Sequence, residues 1–512
     1  MHLPRTLPLS LPTFSRRTLA THLPSGGPLG THASFPVSAT PSEFTITPRN
    51  GFLPLHDPLT TLPPRYAALE SLLTRMPLTR MDTHQPGLLA TGDFGPAVKD
   101  ELPLYDVSSE TDPRVLTALF RDYTFAASAY LLEPCDLHNR QRGQVAGGGD
   151  GTYGLGRSVL PKNLAVPMVQ VAAKLGAKPF MEYAQSYALY NYARVDAGKG
   201  LEYDNLKLIR AFSGMESEHG FILVHVAMVA HTGAQVAATV NALNAAAAHD
   251  RAAFNTHLIA MRTALQHINA QMETMWRHSS PADYLKFRTF IMGTKNQPMF
   301  PRGVVYEGVS DQPTFYRGES GANDSIVPTL DNFLAVTENM PENALTEILR
   351  DFRSYRPENH TLWLQWVEER AKTLGVRQFA LADPNSAVLY LSLLDQLREF
   401  RARHWNFTKQ YILKHTRHPT ATGGSPIVTW LPNQLSVVLS AMTQTATAIG
   451  NNTTSSASPL TTENRHLAQE LLENAATQQR ILDREVRELK LRFEHQDEAD
   501  TDWSRAEVAA QA

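Results

Sequence analysis

Apolar residues recur at helical spacing from about residue 160 to residue 448, and this periodicity limits the possible folds more than any other feature of the sequence. Alternation of β-branched and polar residues, which would indicate half-buried strands, is scarce in the same region. The chain is therefore predicted to be mostly α. The predicted helices span residues 163–175, 180–193, 203–213, 216–247, 251–276, 282–292, 325–335, 342–352, 361–373, 385–414 and 431–448.

Proline and glycine interrupt residues 46–165 repeatedly, and no long helix is predicted there. The glycine-rich stretch at 142–156 is similar in composition to a phosphate-binding loop. However, no apolar strand precedes it and no Gly-Lys-Ser/Thr triplet ends it, so a nucleotide site is not expected.

The end of the chain has a different character. Residues 450–462 have the composition of a low-complexity linker, and residues 464–495 form a charged amphipathic helix with a thin apolar stripe. We expect this helix to be either a docked appendage or a segment that seeks a partner protein.

The charges of the chain nearly balance, with 47 Lys and Arg against 50 Asp and Glu and a net charge of -3. Such a chain has no overall electrostatic attraction to nucleic acid, so we expect no nucleic-acid partner. Cys135 is the only cysteine, which excludes an intramolecular disulfide, a cysteine-based zinc site and a cysteine-bound iron–sulfur cluster. Any metal chemistry must use histidine and carboxylate side chains.

Residues 220–248 contain no Asp, Glu, Lys or Arg and are long enough to span a bilayer. The stretch also carries His225, His231, Gln235 and two asparagines, and it ends in small alanines. We interpret it as a buried core helix or helix pair and expect no membrane span.

Residues 1–45 are rich in Pro, Ser, Thr and Leu, carry Arg5, Arg16 and Arg17, and contain no acidic residue before Glu43. This composition is typical of a mitochondrial presequence, but the frequent prolines disfavour the amphipathic helix that a presequence forms. We predict a disordered N-terminal extension and a cytoplasmic protein, with a mitochondrial presequence as the alternative.

Residues 397–411 (LREFRARHWNFTKQY) place Arg401 and His404 on the otherwise apolar face of a predicted helix. Burying these side chains is costly unless each has a partner. Haem or metal ligation by His404, with a carboxylate beside Arg401, would supply such partners. The pattern alone favours a core histidine bonded to a carbonyl oxygen, or a solvated Arg/His face.

Two further patterns are suggestive. Phe221 and His225 lie one turn apart on an apolar helix, where they would line the distal side of a cofactor or form an ordinary core contact. In residues 421–425 (ATGGS), Thr422 stands beside paired glycines. Such a loop closes over an anionic ligand or forms a common surface turn.

A series of segments in residues 46–448, taken in order, resembles the indoleamine 2,3-dioxygenase family and its fungal branch in particular. Residues 1–45 and 450–512 lie outside the resemblance. The matching segments are residues 46–54 (ITPRNGFLP) with 57–59 (DPL), 160–167 (LPKNLAVP), 303–308 (GVVYEG), 318–325 (GESGANDS), 353–357 (RSYRP) with His360, the helix around His404, and 421–425 (ATGGS).

The resemblance implies a small mixed N-terminal domain over residues 46–210 and a large all-helical domain over residues 211–449, with haem b between them. His404 occupies the position of the family's proximal haem ligand and would hold the iron. Arg401 matches an arginine that pairs with an aspartate near the haem, and Asp331 matches that aspartate.

The same resemblance implies a set of substrate and haem-edge residues. Arg288 matches the arginine that holds the substrate carboxylate, and Phe221 matches a distal-pocket phenylalanine. Arg288 and His225 are the predicted catalytic residues. Ser320 and Gly321 match the small residues of a loop that runs along the haem edge beside the substrate. Thr422 and Gly423 match the mobile loop that closes on the substrate.

The implied function is haem-dependent insertion of O2 into the indole C2–C3 bond of L-tryptophan, or of a related indoleamine, to give N-formylkynurenine. This is the first step of the kynurenine pathway, and it needs an electron donor to keep the iron reduced. We expect a monomer. The alternative is a haem-binding protein of the same fold with little or no turnover, such as a sensor or a haem store.

The chain departs from the family pattern on the substrate side. His225 stands where animal members have serine, which is similar to the related tryptophan 2,3-dioxygenases, whose distal imidazole accepts a hydrogen bond from the indole N–H. Asp283 and Tyr284 stand where the family usually has paired aromatics, and Ala421 replaces the first loop glycine. These departures bear on substrate affinity and rate more than on haem binding. Because the resemblance covers neither end, removing residues 1–40 and 455–512 is expected to leave haem content nearly intact.

Overall fold

The computed structural model of the protein describes residues 35–38, 42–146, 153–336, 344–416, 420–452 and 459–510. Helices dominate these residues, so the predicted mostly-α class is confirmed. Three predicted features lie wholly or partly outside the described residues. They are the N-terminal extension 1–45, the glycine-rich stretch 142–156 and the linker 450–462.

The helices fall into three runs along the chain. The first run is α1 (Ala67–Arg75), α2 (Leu88–Thr91), α3 (Phe94–Glu101), α4 (Pro113–Ala146) and α5 (Lys162–Leu175). The second is α6 (Glu216–Val229), α7 (Thr232–Ala247), α8 (Arg251–Glu273), α9 (Met275–His278), α10 (Pro281–Arg288) and α11 (Ile326–Phe333). The third is α12 (Ala344–Arg353), α13 (Glu358–Thr373), α14 (Val376–Leu381), α15 (Pro384–Thr408), α16 (Ile427–Asn452) and α17 (Thr462–Ala510).

Within the described residues, short strands form two small sheets. β1 (Val159–Leu160) pairs in parallel with β4 (Val305–Tyr306), which joins two segments that are far apart in sequence. β2 (Tyr192–Arg194) pairs antiparallel with β3 (Leu206–Leu208), and Tyr192 faces Leu208 in the register.

Two predicted helices, at residues 180–193 and 203–213, are wrong. The first segment forms a wide turn over Tyr183–Tyr187 and then enters β2, while the second forms a short 3-10 turn and then β3. The aromatic residues of the first segment favour a strand. In the second, Leu206 and Leu208 are buried and the residue between them is exposed, which is the period-two pattern of a strand edge.

The long helix α4 was not predicted. Pro134 lies inside it, and nearly every residue from 115 to 133 is buried, so the helix has no polar face to mark its period. A proline inside a helix costs about 3 kcal/mol in isolation, which makes tertiary packing rather than local propensity the reason that this helix forms. The other predicted helices are present with shifted ends.

The charge-free stretch forms the helix pair α6 and α7, which breaks at Ala230 and His231. By length and composition the combined span Glu216–Ala247 passes as a membrane-crossing helix, but 67% of its most apolar window is buried inside the protein. This burial fits the interpretation of the stretch as a core helix pair.

The helix α15 carries His404 and is fixed at both ends. Asp383 caps it by accepting a hydrogen bond from the backbone N–H of Ser386 at 2.8 Å, and Pro384 occupies its first turn. Beyond Thr408 the helix continues into a wide turn over Lys409–Leu413. Helices α8 and α16 pack along its sides, which gives its buried face a fixed orientation.

The C-terminal helix α17 docks on the rest of the protein. Ala468, Leu471, Ala475 and Leu482 on one of its faces are buried and belong to the same hydrophobic cluster as the interior of the chain. Of the two expected roles, the docked one describes what is observed. The predicted domain boundaries at 45, 210 and 449 stay predictions.

Candidate functional site

A cavity of about 920 Å³, counting its open mouth, lies between α6, α8, α10, the last turns of α15 and the start of α16. The wall is mostly aromatic and apolar. Its members include Phe221, His225, Tyr284, Glu319, Ser320, Gly321, His404, Tyr411, Thr422 and Trp430.

His404 presents its imidazole to this cavity. Burial, reinforced by His225 and Arg401, lowers the pKa of His404 to about 4, so the ring is neutral at pH 7. Its nitrogens make no hydrogen bond within the part of the chain that the structure describes. A neutral imidazole with a free lone pair is the form that binds iron.

Arg401 and Asp331 lie beside His404 and pair as the resemblance implied. The Arg401 Nη2 atom donates to both carboxylate oxygens of Asp331 at 2.9 Å, and Nη1 donates to the carbonyl oxygen of Gln434 at 2.9 Å. Such a buried pair is stable only when its remaining polar atoms are bonded as well, and Gln434 supplies one of those bonds. These residues line a second cavity of about 560 Å³.

The two cavities adjoin around His404, where they share Gly321, Trp430 and Leu431. A Cβ atom added to Gly321 would meet no atom within 4 Å, so the space beside this glycine is open. Within the described residues no group of three or more His, Cys, Asp or Glu side chains could hold a metal ion. Iron at His404 would therefore take its other ligands from a macrocycle, and the residues present fit haem.

His225 lies on α6 and lines the same cavity. Its Nδ1 atom is 2.7 Å from the carbonyl oxygen of Phe221, and because a carbonyl only accepts, Nδ1 must carry the proton. Burial lowers the pKa of His225, which keeps the ring neutral and leaves Nε2 as an acceptor. The rings of Phe221 and Tyr183 pack edge-on against it, with centroids 5.2 and 5.8 Å away.

Arg288 lies behind the cavity wall rather than on it. The side chain is fully buried, its Nη2 donates to the carbonyl oxygen of Thr420 at 2.8 Å, and its Nη1 lies 3.3 Å from the hydroxyl of Tyr153. Tyr284, one turn earlier on α10, stands at the wall instead. The structure does not bring Arg288 to the other predicted site residues, because the segment that starts at Thr420 binds its guanidinium group.

The loop after Thr420 contributes one predicted residue to the wall and keeps another behind it. Thr422 lines the cavity, and its carbonyl oxygen accepts from the backbone N–H of Gly293 at 3.0 Å. Gly423 packs against Phe352, where an added Cβ would come within 2.4 Å of the aromatic ring. Glycine is therefore required at 423 for close packing, and this residue is not part of the wall.

Glu319 is a wall residue that sequence reasoning missed. Its side chain is 4% exposed and has no ion pair or hydrogen bond within the described residues. Burial alone raises the pKa of Glu319 to about 8. The residue stands inside the matching segment 318–325, but nothing in the spacing of that segment indicates that its glutamate faces a cavity.

One cavity thus holds a neutral histidine that makes no hydrogen bond with the described residues, an aromatic wall and a second neutral histidine, and this set of side chains suits a haem protein with a single protein ligand. Comparison with known proteins agrees with this class. The chain belongs to the indoleamine 2,3-dioxygenase family, whose sequence profile matches residues 40–461. The predicted family and its haem cofactor are therefore confirmed.

Individual relatives are distant. Indoleamine 2,3-dioxygenase 2 of Homo sapiens is 30% identical over 271 residues, which cover 52% of this chain and 64% of that protein. The chain thus spans less than two thirds of that relative's length. Indoleamine 2,3-dioxygenase acdA of Aspergillus candidus is 26% identical over 420 residues, 76% of this chain and 94% of that protein. A protein named myoglobin, of Haliotis diversicolor, is 25% identical over 374 residues, 73% of this chain and 89% of that protein.

Proposed function

We propose that the protein is a dioxygenase that opens the indole ring of L-tryptophan, or of a related indoleamine, to give N-formylkynurenine as the first step of the kynurenine pathway. Both atoms of O2 enter the product and the C2–C3 bond of the indole breaks, so the net reaction needs no added electrons. The observation that carries the proposal is that the neutral His404, which makes no hydrogen bond with the described residues, lines one cavity with Phe221 and His225. Haem, when bound, supplies the O2 chemistry, and His404 would hold its iron.

The chain's own residues bind and orient the substrate in this proposal. Phe221 offers an aromatic face to the indole, and His225 offers the lone pair of Nε2 to the indole N–H. Correct placement of the two reactants is worth several kcal/mol in the barrier. Thr422 lines the cavity, and closure of its loop on the substrate would exclude water.

Arg288 is the proposed carboxylate clamp, and it reaches the substrate only after its bond to Thr420 is exchanged for the substrate carboxylate. The exchange replaces a hydrogen bond to a neutral carbonyl by one to an anion, which is the stronger of the two. Loop 420–425 would move as substrate enters.

A second candidate function is haem binding with little or no turnover, as a sensor or an oxygen or haem store. The similarity to the protein named myoglobin in Haliotis diversicolor is the observation that favours it. Arg288, bonded away from the cavity, is consistent with this candidate as well.

Turnover separates the two candidates. The full chain is loaded with haem, reduced, and incubated in air with L-tryptophan, and N-formylkynurenine is quantified by mass. Product in excess of the haem present supports the dioxygenase. Stable O2 binding without product would overturn it in favour of the oxygen-binding protein.

We further propose a cytoplasmic monomer that takes electrons from a donor to keep the haem ferrous. The near-neutral charge and the burial of the apolar helix pair α6 and α7 support a protein without nucleic-acid or membrane partners.

A further inference from the structure

We infer that Glu319 is a specificity-determining residue that binds the ammonium group of the substrate, so that the site selects indoles with a free amine. This inference rests on the proposed function and names the part of the substrate that the proposal leaves without a partner. The chemical class is an indole carrying a protonated primary amine on its side chain.

Glu319 has no cationic partner among the residues that the structure describes. The side chain lines the cavity, is 4% exposed, and makes no ion pair or hydrogen bond with any residue that the structure describes. Arg317, two residues earlier, is already committed, because its Nε atom donates to Asp351 at 2.7 Å and its Nη1 atom to the carbonyl oxygen of Gly423 at 2.9 Å. A buried carboxyl group without a partner is costly, and such groups persist where a ligand completes them.

Glu319 lines the same cavity as Phe221, His225 and Tyr284. After burial, Glu319 is among the charges that raise the pKa of Tyr183, of Tyr187 and of Tyr284. Tyr183 packs against the ring of His225, and Tyr284 lines the cavity beside Phe221. Glu319 therefore shares the substrate wall with Phe221 and His225.

Arg288 and Glu319 both lie close enough to Tyr284 to act on its hydroxyl, and an amino-acid head group needs one group of each charge. Burial raises the pKa of Tyr284, Arg288 opposes that rise and Glu319 adds to it, so both charges act on this one hydroxyl. Both also adjoin the loop after Thr420. Arg288 donates to Thr420, and Gly318, next to Glu319, packs so closely on the Thr422 carbonyl oxygen that an added Cβ would lie 2.5 Å from it.

The ammonium and carboxylate groups of an amino acid are attached to one carbon atom. A cation-binding carboxylate and an anion-binding guanidinium in the neighbourhood of Tyr284 would hold them together. The mostly apolar remainder of the cavity would take the ring. Because burial raises the pKa of Glu319 to about 8, this carboxyl is largely protonated at pH 7 when it has no cationic partner, and an ammonium group beside it stabilises its ionised form.

The test compares three ligands that share the indole and differ in the head group. They are L-tryptophan, tryptamine, which has no carboxylate, and indole-3-propionate, which has no ammonium. Their affinities for the haem-loaded, reduced full chain are measured by calorimetry without O2, so that binding is read without turnover. The variant is Glu319→Gln, and Glu368→Gln, on the exposed face of α13, is the matched control.

We expect Glu319→Gln to weaken the binding of L-tryptophan and of tryptamine by about 10- to 100-fold. A loss of this size corresponds to one hydrogen bond between charged groups. Indole-3-propionate should bind the variant at least as tightly as the wild type, and Glu368→Gln should change none of the three. Equal changes for all three ligands, or no change for any, would overturn the inference.

A second variant covers a folding failure. Should Glu319→Gln not load haem, Glu319→Asp keeps the charge but withdraws it by one methylene. The affinities for L-tryptophan and tryptamine should fall several-fold, and the affinity for indole-3-propionate should not change. An equal loss of affinity for all three ligands would contradict the inference. Wild-type protein that binds the amines selectively but forms no N-formylkynurenine would refute the dioxygenase proposal alone. Normal turnover with unchanged selectivity in Glu319→Gln would refute the ammonium site alone.

Discussion

His225 is the side chain through which the chain would distinguish an indole N–H from other ring atoms. Its Nδ1–H is bound to the Phe221 carbonyl oxygen, which fixes the tautomer and leaves Nε2 as the acceptor. The local helix geometry alone produces this arrangement, since the two residues are one turn apart on α6. The lowered pKa, caused by burial, means that the acceptor is available at neutral pH.

Substitution of His225 by serine should lower turnover of L-tryptophan moderately. An obligatory proton acceptor would cost about 10²–10⁴-fold, and a residue that only orients the indole should cost less. The measurement compares kcat/KM for L-tryptophan and 1-methyl-tryptophan, which has no indole N–H. Wild type should discriminate strongly against the methylated substrate and His225→Ser should discriminate less. The same ratio in both proteins would show that His225 does not contact the indole nitrogen.

His360 makes the stability of the protein depend on pH. It is 1% exposed, and its Nδ1 atom lies 3.0 Å from the hydroxyl of Ser325. Burial, with the nearby Arg356, lowers the pKa of His360 to about 3. The unfolded chain takes up this proton near pH 6.5, so below that pH it holds more protons than the folded chain. The contribution is therefore fully present above about pH 6.5 and is lost as the pH falls towards 3.

Between pH 7 and pH 5 this loss should amount to about 2 kcal/mol in the free energy of unfolding. Glu319 and Glu182, whose pKa values burial raises to about 8 and about 7, act in the opposite direction as the pH rises above about 4.5. The comparison therefore uses denaturant unfolding of wild type and His360→Gln at both pH values, with the exposed His466→Gln as control. An equal pH dependence in all three proteins would exclude His360 as the source.

At the scale of elements, α17 is tied to the helix that carries His404. The carboxylate of Glu485 on α17 accepts hydrogen bonds from the indole N–H of Trp405 at 2.9 Å and from Lys409. Trp405 is the neighbour of His404 and is almost fully buried. The expectation that residues 455–512 are dispensable, drawn from the limits of the family resemblance, therefore conflicts with these contacts.

Substitution of Leu482 tests whether α17 packs on the rest of the protein. It is 2% exposed on α17, and Leu482→Ala should lower the free energy of unfolding by about 2–5 kcal/mol through lost burial and the cavity left behind. Leu491 lies on the same helix at 56% exposure, and Leu491→Ala should change stability by less than about 0.5 kcal/mol. Denaturant unfolding measures both. Equal small effects would mean that α17 does not pack on the protein in solution.

The sequence predicts the amphipathic helices, but it does not predict the fully buried helix α4 or the short strands β2 and β3. The face of α15 that holds Arg401 and His404 follows from spacing alone, because one side of that helix is apolar. Helix α4 could not be predicted, since burial on all sides removes the periodic signal and Pro134 argues against a helix. β2 and β3 depend on pairing between segments, which local propensity does not describe.

At the scale of the whole molecule, the site gathers side chains from distant segments of one continuous core. Helical spacing and the family resemblance identified His404, Phe221 and His225 as site residues, because each lies on a regular helix. They missed Glu319, whose position depends on how an irregular segment crosses the cavity. The resemblance matched Arg288 by sequence register, and only the tertiary structure reveals that the loop at Thr420 binds it first.

Haem titration of His404→Ala tests the central claim most directly. Wild type, His404→Ala and the surface control His466→Ala are titrated with haem and followed by absorption, with and without added imidazole. Wild type and the control should bind one haem per chain. His404→Ala should lose stable binding, and imidazole, entering the space left by the side chain, should restore it. Full haem content with an unchanged spectrum in His404→Ala would contradict the assignment of His404 as the iron ligand.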